Sequence, residues 1–418
     1  MREIELAVAQ VEAGDAAKGL EWLNKALDQA NDEEKYEIAQ FYHEWGHLSE
    51  ARNIVEGLLE HYHDENELIF FLVELLIDSD EEEKAIAWLE EIDDDEVDRL
   101  RALLLLADIY SSQGVDEVAE QKLLDAKRLA PEETVITFAL AEFYYMTGDY
   151  KKSVPLYEQV VRDGGIPGED VKVRLAEALS ASGDFELALP YFQQASQDSI
   201  DLNGWMQYGI TAFQAGEYQQ AIHALNELKA RDPHLDSLYF YLAKAYRYEG
   251  ALSEAMNAAK EGIAMNAFND QLTYEAGDLA LAEGQSDEAE KWFKKTLELH
   301  SLHHGALKSL AGIFISQERY DEVIELLGSI EDQEEQDPVF AWNLATAERE
   351  VERYEDALRH YDQAHEGLKE NPAFLEEYGD FLVEEGRRQE AAVLYRKALS
   401  IDPTLVHLEE RAADLEQD

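Results

Sequence analysis

Small and large apolar residues recur along this chain at a nearly constant spacing. A turn glycine is followed five residues later by a small residue, as in Gly183 and Ala188 or Gly216 and Ala221. Eight of the eleven intervals between successive small residues are 34 residues, and the others are 32, 35 and 33. A fixed period of this length is typical of repeat proteins. The twelve members of this column are Gly19, Ala51, Ala85, Ala119, Ser153, Ala188, Ala221, Ala255, Ala289, Val323, Ala357 and Ala391.

Two further columns predict how each repeat folds. Twelve residues before the first column stands a second small residue, which is Ala or Gly in eleven repeats of twelve. Four residues after the first column stands a residue that is mostly large. A small residue on one helix opposite a large residue on the next, both at helical spacing, predicts two antiparallel helices that interlock. The second column holds Ala7, Ala39, Val73, Ala107, Ala141, Ala176, Gly209, Ala243, Gly277, Ala311, Ala345 and Gly379. The third holds Leu23, Val55, Leu89, Leu123, Tyr157, Phe192, Leu225, Ala259, Phe293, Leu327, Tyr361 and Tyr395.

The turn between the two helices of a repeat is marked by glycine in nine repeats. Glycine just past a helix accepts the left-handed backbone that ends it. Repeats three, ten and eleven carry Asp80, Glu318 and Glu352 at this position instead. The nine glycines are Gly14, Gly46, Gly114, Gly148, Gly183, Gly216, Gly250, Gly284 and Gly386.

These columns resemble the tetratricopeptide-repeat family, with its Trp-Leu-Gly-Tyr-Ala-Phe-Ala-Pro pattern. Repeat seven carries the pattern as Trp205, Tyr208, Gly209, Ala221 and Pro233. The resemblance covers nearly the whole chain. It implies an all-α fold, a right-handed superhelical solenoid of about twelve helix-turn-helix repeats plus a C-terminal capping helix.

The same columns give the expected domain organisation. Residues 1–403 are predicted to form one solenoid of twelve tandem repeats. Two stretches are candidate joints, the glycine-rich residues 164–168 and the charged residues 331–337. Residues 404–418 are predicted to form a helix that covers the last repeat, because an end repeat exposes an apolar face.

Composition narrows the class of function. The 418 residues include 92 Asp and Glu against 35 Lys and Arg, a formal net charge of -57, and 46% hydrophobic residues. The apolar content suffices for a packed core, while the charge repels nucleic acids and anionic lipids. There is no Cys, no signal-peptide apolar core and no apolar run near the ~20 residues of a membrane span. We therefore expect a cytoplasmic protein without nucleic acid binding or membrane insertion.

No catalytic motif is present. The chain contains no phosphate-binding glycine loop, no nucleophile elbow and no H-E-x-x-H. His300, His303 and His304 have the spacing at which a helix presents two imidazoles to one metal. They stand at a repeat junction without a third ligand, so we expect surface or helix-end histidines. The sequence predicts no enzyme, no cofactor and no bound metal.

The family resemblance also implies where a partner binds. In this family the first helix of each repeat lines a concave groove, and positions two, five, nine and twelve of the repeat point into it. Repeats two to six then give an acidic lining with aromatic patches, predicted to take the basic end of a partner. This lining comprises Glu33, Tyr36, Gln40, His43, Glu67, Phe70, Glu74, Asp108, Glu142, Asp170 and Glu177.

Repeats seven to eleven give a more apolar lining with scattered cations. Residues 1–100 hold 30 acidic and 7 basic residues, whereas residues 201–300 hold 16 and 8. Arg and aromatic residues often anchor interfaces, so we place the main partner site here. The aromatic residues and Arg247 are predicted as anchors, and Lys244, Lys308 and Arg349 are predicted to select an acidic or carboxylate group. The predicted site comprises Met206, Phe213, Phe240, Lys244, Arg247, Tyr274, Lys308, Trp342 and Arg349.

Four interpretations of the function stay open from the sequence. The first is a scaffold or adaptor that binds a segment of a partner protein in its groove. The second is an acidic chaperone or decoy for basic proteins, in which charge alone does the binding. A metal-dependent enzyme is the third, with the three histidines as its candidate site. The fourth is a surface charge that serves only hydration at high salt.

Overall fold

The computed structural model describes residues 2–92, 96–195, 197, 199–328, 330 and 337–416. Over these residues the backbone forms 25 α-helices and no strand, apart from an isolated bridge between Ile166 and Glu169. The predicted all-α architecture of helix pairs is thereby confirmed. The chain divides into two compact units, Met1–Ile200 and Asp201–Asp418. No helix of the described ranges is both long and apolar enough to cross a membrane.

Unit 1, Met1–Ile200, contains six helix pairs. Asn31 begins one of them with a reciprocal cap, in which its side chain accepts from the backbone N–H of Glu34 and the Glu34 carboxylate accepts from the backbone N–H of Asn31. The helices are α1 (Arg2–Glu12), α2 (Ala16–Leu27), α3 (Asp32–Glu44), α4 (Leu48–Leu59), α5 (Asn66–Ile77), α6 (Glu82–Glu90), α7 (Glu96–Ser112), α8 (Asp116–Leu129), α9 (Thr134–Met146), α10 (Tyr150–Arg162), α11 (Val171–Ser182) and α12 (Phe185–Gln194).

Unit 2, Asp201–Asp418, contains six more pairs and a final helix. Proline opens two of its helices, at Pro338 and Pro372, where the missing N–H has no partner to lose. The helices are α13 (Leu202–Gln214), α14 (Tyr218–Arg231), α15 (Ser237–Tyr248), α16 (Leu252–Met265), α17 (Asp270–Ala282), α18 (Ser286–Leu299), α19 (His304–Ser316), α20 (Tyr320–Gly328), α21 (Pro338–Glu350), α22 (Tyr354–Leu368), α23 (Pro372–Glu384), α24 (Arg388–Ile401) and α25 (His407–Glu416).

The three columns seen in the sequence form the core of each pair. Every member of all three columns is buried. A Cβ added at Gly379 would lie 2.4 Å from the Tyr395 ring, and one added at Gly277 would lie 2.5 Å from the Phe293 ring. The small residue of the first helix therefore makes room for the large residue of the second, as the spacing predicts.

The three repeats without a turn glycine still adopt the left-handed backbone conformation at that position. Asp80, Glu318 and Glu352 have φ of 56°, 59° and 62°. These are the residues with positive φ, other than glycine, within the described ranges. A side chain there meets the backbone carbonyl and costs roughly 1–2 kcal/mol. The repeat imposes the turn even where the sequence lacks its usual residue.

Replacing these three residues by glycine should stabilise the protein. We expect Asp80→Gly, Glu318→Gly and Glu352→Gly each to raise the free energy of unfolding by up to about 1 kcal/mol, because relief of strain outweighs the added flexibility of the unfolded chain. Denaturant unfolding of the single variants and of the triple variant measures the gain. Glu325→Gly, inside α20, is the control and should lose about 1 kcal/mol. If the turn variants lose as much unfolding free energy as the control, the three turn residues are not strained.

The final helix covers the last pair. Leu408 and Ala412 of α25 are fully buried and belong to the same apolar cluster as Phe374 and Tyr395. Of the two candidate joints, residues 331–336 lie outside the described residues. In residues 164–168 three glycines adopt positive φ: Gly164, Gly165 and Gly168.

Candidate partner-binding site

An aromatic cluster lies where α13, α14 and α15 meet in unit 2. The Phe213 ring lies 5.6 Å from Tyr218, 5.8 Å from Tyr241 and 5.7 Å from Tyr248. Tyr218 and Tyr248 stack at 4.8 Å with an angle of 9° between their planes. Although the cluster is held by ring contacts, Tyr248 remains 54% exposed. The cluster offers a rigid apolar surface with hydroxyl groups at its edge.

Lys244 of α15 holds its ammonium group over two aromatic rings. Nζ lies 4.9 Å from the Phe240 centroid and 5.7 Å from the Phe213 centroid. Lys244 forms no ion pair within 4 Å in the described part of unit 2, although its charge acts, after that of Arg247, to lower the pKa of the buried Glu275. Ring faces attract a cation without neutralising it. Lys244 can therefore receive a carboxylate from outside the chain.

Arg247, one turn further along α15, is already engaged within unit 2. Its Nε lies 3.1 Å from Oε1 of Glu275, and Nη1 lies 3.2 Å from Oδ2 of Asp278, both on α17. Glu275 is buried, and burial raises the pKa of its carboxyl even though Arg247 acts to lower it. Oε1 of Glu275 accepts no hydrogen bond of good geometry from the described residues. Arg247 thus compensates a buried charge.

Tyr274 of α17 packs against the start of α19. Its ring lies 4.6 Å from the His303 ring, and a Cβ added at Gly305 would lie 2.7 Å from its Cζ. Burial, followed by the nearby charge of Asp278, raises the pKa of the Tyr274 hydroxyl. Tyr274 of α17 therefore packs against α19, the first helix of the next pair. Its side chain is half-buried.

The remaining predicted site residues are placed differently. Met206 is half-buried on α13, and Lys308 is exposed on α19. Trp342 of α21 packs edge-on against Phe374 at 5.6 Å. Arg349 donates to both carboxylate oxygens of Glu384, with Nε 2.8 Å from Oε2.

The structure thus brings together only part of the predicted set. Phe213, Phe240 and Lys244 are in contact, with Arg247 beside them. The contacts of Trp342 and Arg349 are with other residues, and none with this group is seen in the described residues.

Three members of the aromatic cluster were not predicted. Tyr218 starts α14, while Tyr241 and Tyr248 stand one residue past predicted groove positions on α15. The signal in the sequence is the aromatic density of α15, which reads SLYFYLAKAYRY. Five aromatic residues among twelve are more than one buried helix face can contain. Some of them therefore lie outside the core and form the aromatic surface.

The acidic lining predicted in unit 1 is only partly open. Glu142 accepts a 2.6 Å hydrogen bond from the Tyr157 hydroxyl and lies 3.4 Å from Nε of Arg174. The Asp170 side chain caps α11. By contrast, Glu74 and Asp108 are exposed, and no ion pair to either is seen in the described part of unit 1.

The three spaced histidines have separate structural contacts. His300 Nδ1 lies 3.0 Å from Oδ2 of Asp270. His303 caps α19 by accepting from the backbone N–H of Ala306 at 3.1 Å. The His304 ring lies 5.4 Å from Phe340. Within the described ranges, no group of three or more His, Asp or Glu is placed to hold a metal ion.

Four segments match family models of tetratricopeptide repeats. Residues 338–404 match the YpiA-like C-terminal tetratricopeptide repeats, and residues 112–165 match the YpiA-like tetratricopeptide repeats. Residues 173–236 and 274–333 match a general tetratricopeptide-repeat model. The matches fall in both units.

Known proteins resemble the chain as well. It is 41% identical over 416 residues to the TPR repeat-containing protein YpiA of Bacillus subtilis (strain 168), covering 99% of this chain and 98% of that protein. Among solved structures, a chain of the APC/C hetero-tetramer Cut9–Hcn1 and PilF of Pseudomonas aeruginosa have TM-scores of 0.41 and 0.44. Their identities are 13% and 17%, with 98% and 51% of this chain and 94% and 97% of theirs covered.

Proposed function

We propose, since the chain belongs to the YpiA-like tetratricopeptide-repeat family, that it is a scaffold whose unit 2 binds a segment of a partner protein along its first helices. Tetratricopeptide-repeat proteins generally mediate protein–protein interactions. The proposed site, named here the α13–α15 surface, consists of Phe213, Tyr218, Tyr241, Tyr248, Phe240 and Lys244. The observation that carries the proposal is an ammonium group without an ion pair that lies over half-buried aromatic rings next to the exposed Tyr248.

The charge of the protein makes this location selective. A formal net charge of -57 repels an acidic partner nearly everywhere on the surface. Local cations without an internal carboxylate are therefore needed where such a partner docks. Lys244 comes nearer to this condition than Arg247. It forms no ion pair in the described part of unit 2 and acts on Glu275 only through the longer-range field, whereas Arg247 is held by Glu275 and Asp278. The partner segment we propose carries an acidic side chain or a terminal carboxylate next to apolar or aromatic residues.

Charge alone supports a second candidate function. A surface with 92 acidic and 35 basic residues attracts basic proteins without any defined pocket. Binding of that kind weakens steeply as salt is added, because exposed charges farther apart than roughly 8 Å are screened at physiological ionic strength. Desolvated aromatic contacts weaken far less. Affinity measured across a salt series therefore separates a scaffold from an acidic chaperone or decoy.

Removal of the α13–α15 surface should abolish capture of the partner. The full chain is immobilised and incubated with extract from its own cells, and retained proteins are identified by mass spectrometry. We expect the double variant Lys244→Glu/Tyr248→Ala to lose the specific partner that the unaltered chain retains. With the purified partner, Lys244→Ala and Tyr248→Ala should each raise Kd about tenfold, since a hot-spot residue contributes roughly 1.4 kcal/mol or more.

The matched control is Lys260→Glu, which makes the same charge change on α16, a second helix of its pair, where Lys260 is exposed. It should retain the partner. Circular dichroism and thermal unfolding check that each variant is folded. A partner kept by Lys244→Glu/Tyr248→Ala but lost on neutralising Glu67 and Glu74 would place the main site in unit 1.

A further inference from the structure

An acidic pocket with an aromatic floor lies between α3 and α5 in unit 1. It encloses about 270 Å³. Its floor is Phe71, which the Tyr36 and His43 rings meet edge-on at 5.6 Å and 5.7 Å. Glu44, Glu67 and Glu74 form its rim and are exposed, while the floor ring is buried. Arg101 of α7 also lines this pocket. Carboxylates at the rim attract a cation by charge and accept its hydrogen bonds.

The chain itself shows which cation this surface accepts. Arg101 reaches over from α7 and places its guanidinium group 4.1 Å from the Phe70 ring centroid. It also lies 3.5 Å from Oε1 of Glu67. Arg101 pairs with Glu67 only, and neither Glu44 nor Glu74 forms an ion pair among the described residues of unit 1. A second guanidinium or ammonium group therefore finds the same chemistry still available at those two carboxylates.

An apolar pocket follows on the far side of α7. It encloses about 340 Å³ between α7 and α9 and is lined mainly by Leu104, Ala139, Phe143 and Met146, with Asp108 at its edge. Met146 is 78% exposed. The Met146 side chain therefore leaves apolar surface open to solvent near the Asp108 carboxylate. Because methionine is flexible, it can accommodate different apolar side chains.

We propose that these two pockets together form a binding site in unit 1 for an extended protein segment with an Arg or Lys followed by an apolar side chain. The basic side chain enters the acidic pocket, and the apolar side chain enters the pocket beyond α7. This site is separate from the α13–α15 surface of unit 2. Charge complementarity is strong, because residues 1–200 carry 47 acidic against 16 basic residues.

The placement of the pockets sets the spacing of the two side chains. The acidic pocket lies between α3 and α5, and the apolar pocket lies between α7 and α9. With neighbouring helices 8–10 Å apart, the pockets are two helix spacings apart, or roughly 16–20 Å. An extended chain covers that distance in about five to six residues at ~3.3 Å each. The preferred segment therefore has its apolar residue about five or six positions from its basic residue.

Labelled peptides and the full chain test this site by fluorescence polarisation. The probe is a Gly/Ser peptide with one Arg and, five positions later, one Leu. Two comparison peptides replace either the Arg by Glu or the Leu by Ser. We expect the Arg/Leu peptide to bind best, and Glu67→Gln/Glu74→Gln to raise its Kd about tenfold. Met146→Ser should raise Kd about threefold for the Arg/Leu peptide and leave the Arg/Ser peptide unchanged.

The control Glu83→Gln/Glu91→Gln removes the same number of charges from exposed positions in and after α6. It should change Kd less than twofold. An equal loss in this control shows diffuse attraction and overturns the proposal. So does equal binding of the Arg/Leu and Arg/Ser peptides, or no binding at millimolar peptide. Because Lys244 and Tyr248 variants leave unit 1 intact, they should bind the probe normally, which separates this outcome from failure of the unit 2 site.

Discussion

Glu348→Ala is expected to lower the free energy of unfolding by about 3 kcal/mol, the largest effect of any single change considered for this protein. Glu348 of α21 and His360 of α22 form a 2.5 Å contact between Oε2 and Nδ1, with side-chain exposures of 6% and 1%. Truncation leaves a small cavity and takes away the acceptor that faces a buried imidazole nitrogen. Chemical denaturation monitored by circular dichroism measures the loss.

Two further variants show whether the polar contact causes this loss. Glu348→Gln keeps the size of the side chain and an oxygen that accepts from Nδ1, so it should recover most of the stability. Glu348→Leu with His360→Leu replaces both partners by apolar residues. Such replacements are often neutral or stabilising, so the double variant should exceed Glu348→Ala. If Glu348→Gln is as unstable as Glu348→Ala, the hydrogen bond is not what stabilises this helix pair.

Arg247→Ala is expected to cost about 2–3 kcal/mol of folding stability, because it removes the ion-pair partner of the buried Glu275 carboxylate and leaves only the weaker field of Lys244. The Arg247 side chain is 27% exposed, which lowers the cost below that of a fully buried pair. The loss of stability also has an upper limit, because Glu275 can be protonated instead of staying charged and unpaired. Protonating a Glu with an ordinary pKa near 4.3 at pH 7 costs about 4 kcal/mol.

The loss should depend on pH in a defined direction. Burial already raises the pKa of Glu275 in the folded protein, and removing Arg247 raises it further. Between the unfolded and the folded pKa the folded state binds more protons, so stability increases as pH falls through this window. The deficit of Arg247→Ala should shrink as the pH is lowered from neutral toward 5. Glu275→Gln added to Arg247→Ala should remove this pH dependence, and its persistence there would contradict the assignment to Glu275.

The role of Arg247 in folding stability limits its use in binding experiments. An Arg247 variant that lost a partner would report partial unfolding as readily as a lost contact. Lys244 has no internal ion pair in the described structure and lies over Phe240 and Phe213. Its removal therefore changes the α13–α15 surface with little effect on stability. Lys244→Ala is therefore the cleaner single probe of partner binding. Tyr248→Ala also removes contacts with Tyr218 and Arg247, so its folding stability is measured alongside.

The fold could be predicted from the sequence because it depends on local spacing. Each repeat buries the same three positions, so the columns at Gly379, Ala391 and Tyr395 recur twelve times with little variation. Contacts in a repeat protein lie mainly within a pair or between neighbouring pairs. The period then determines both the helices and their partners. Even the turns that lack glycine, at Asp80, Glu318 and Glu352, keep the left-handed backbone that the period requires.

The candidate site could be predicted only in outline. Position in the repeat indicates that Phe240 and Lys244 share one face of α15, because a helix presents residues four apart to the same side, and Lys244 also lies over Phe213 of α13. It does not indicate which cations of that face are already neutralised. Arg247 and Lys244 stand three residues apart on α15, yet only Arg247 meets carboxylates of the next first helix.

What the sequence by itself determined is therefore the helix pairs, the turns between them and their buried columns. The tertiary structure alone decided the state of each charged or aromatic side chain on the open faces. Arg349 reaches Glu384 and Glu142 reaches Tyr157, whereas Glu74 and Lys308 stay exposed. The physical reason is the range of the interactions. Backbone periodicity repeats every 34 residues, but an ion pair or ring contact requires two particular side chains to come within a few ångströms across neighbouring helices.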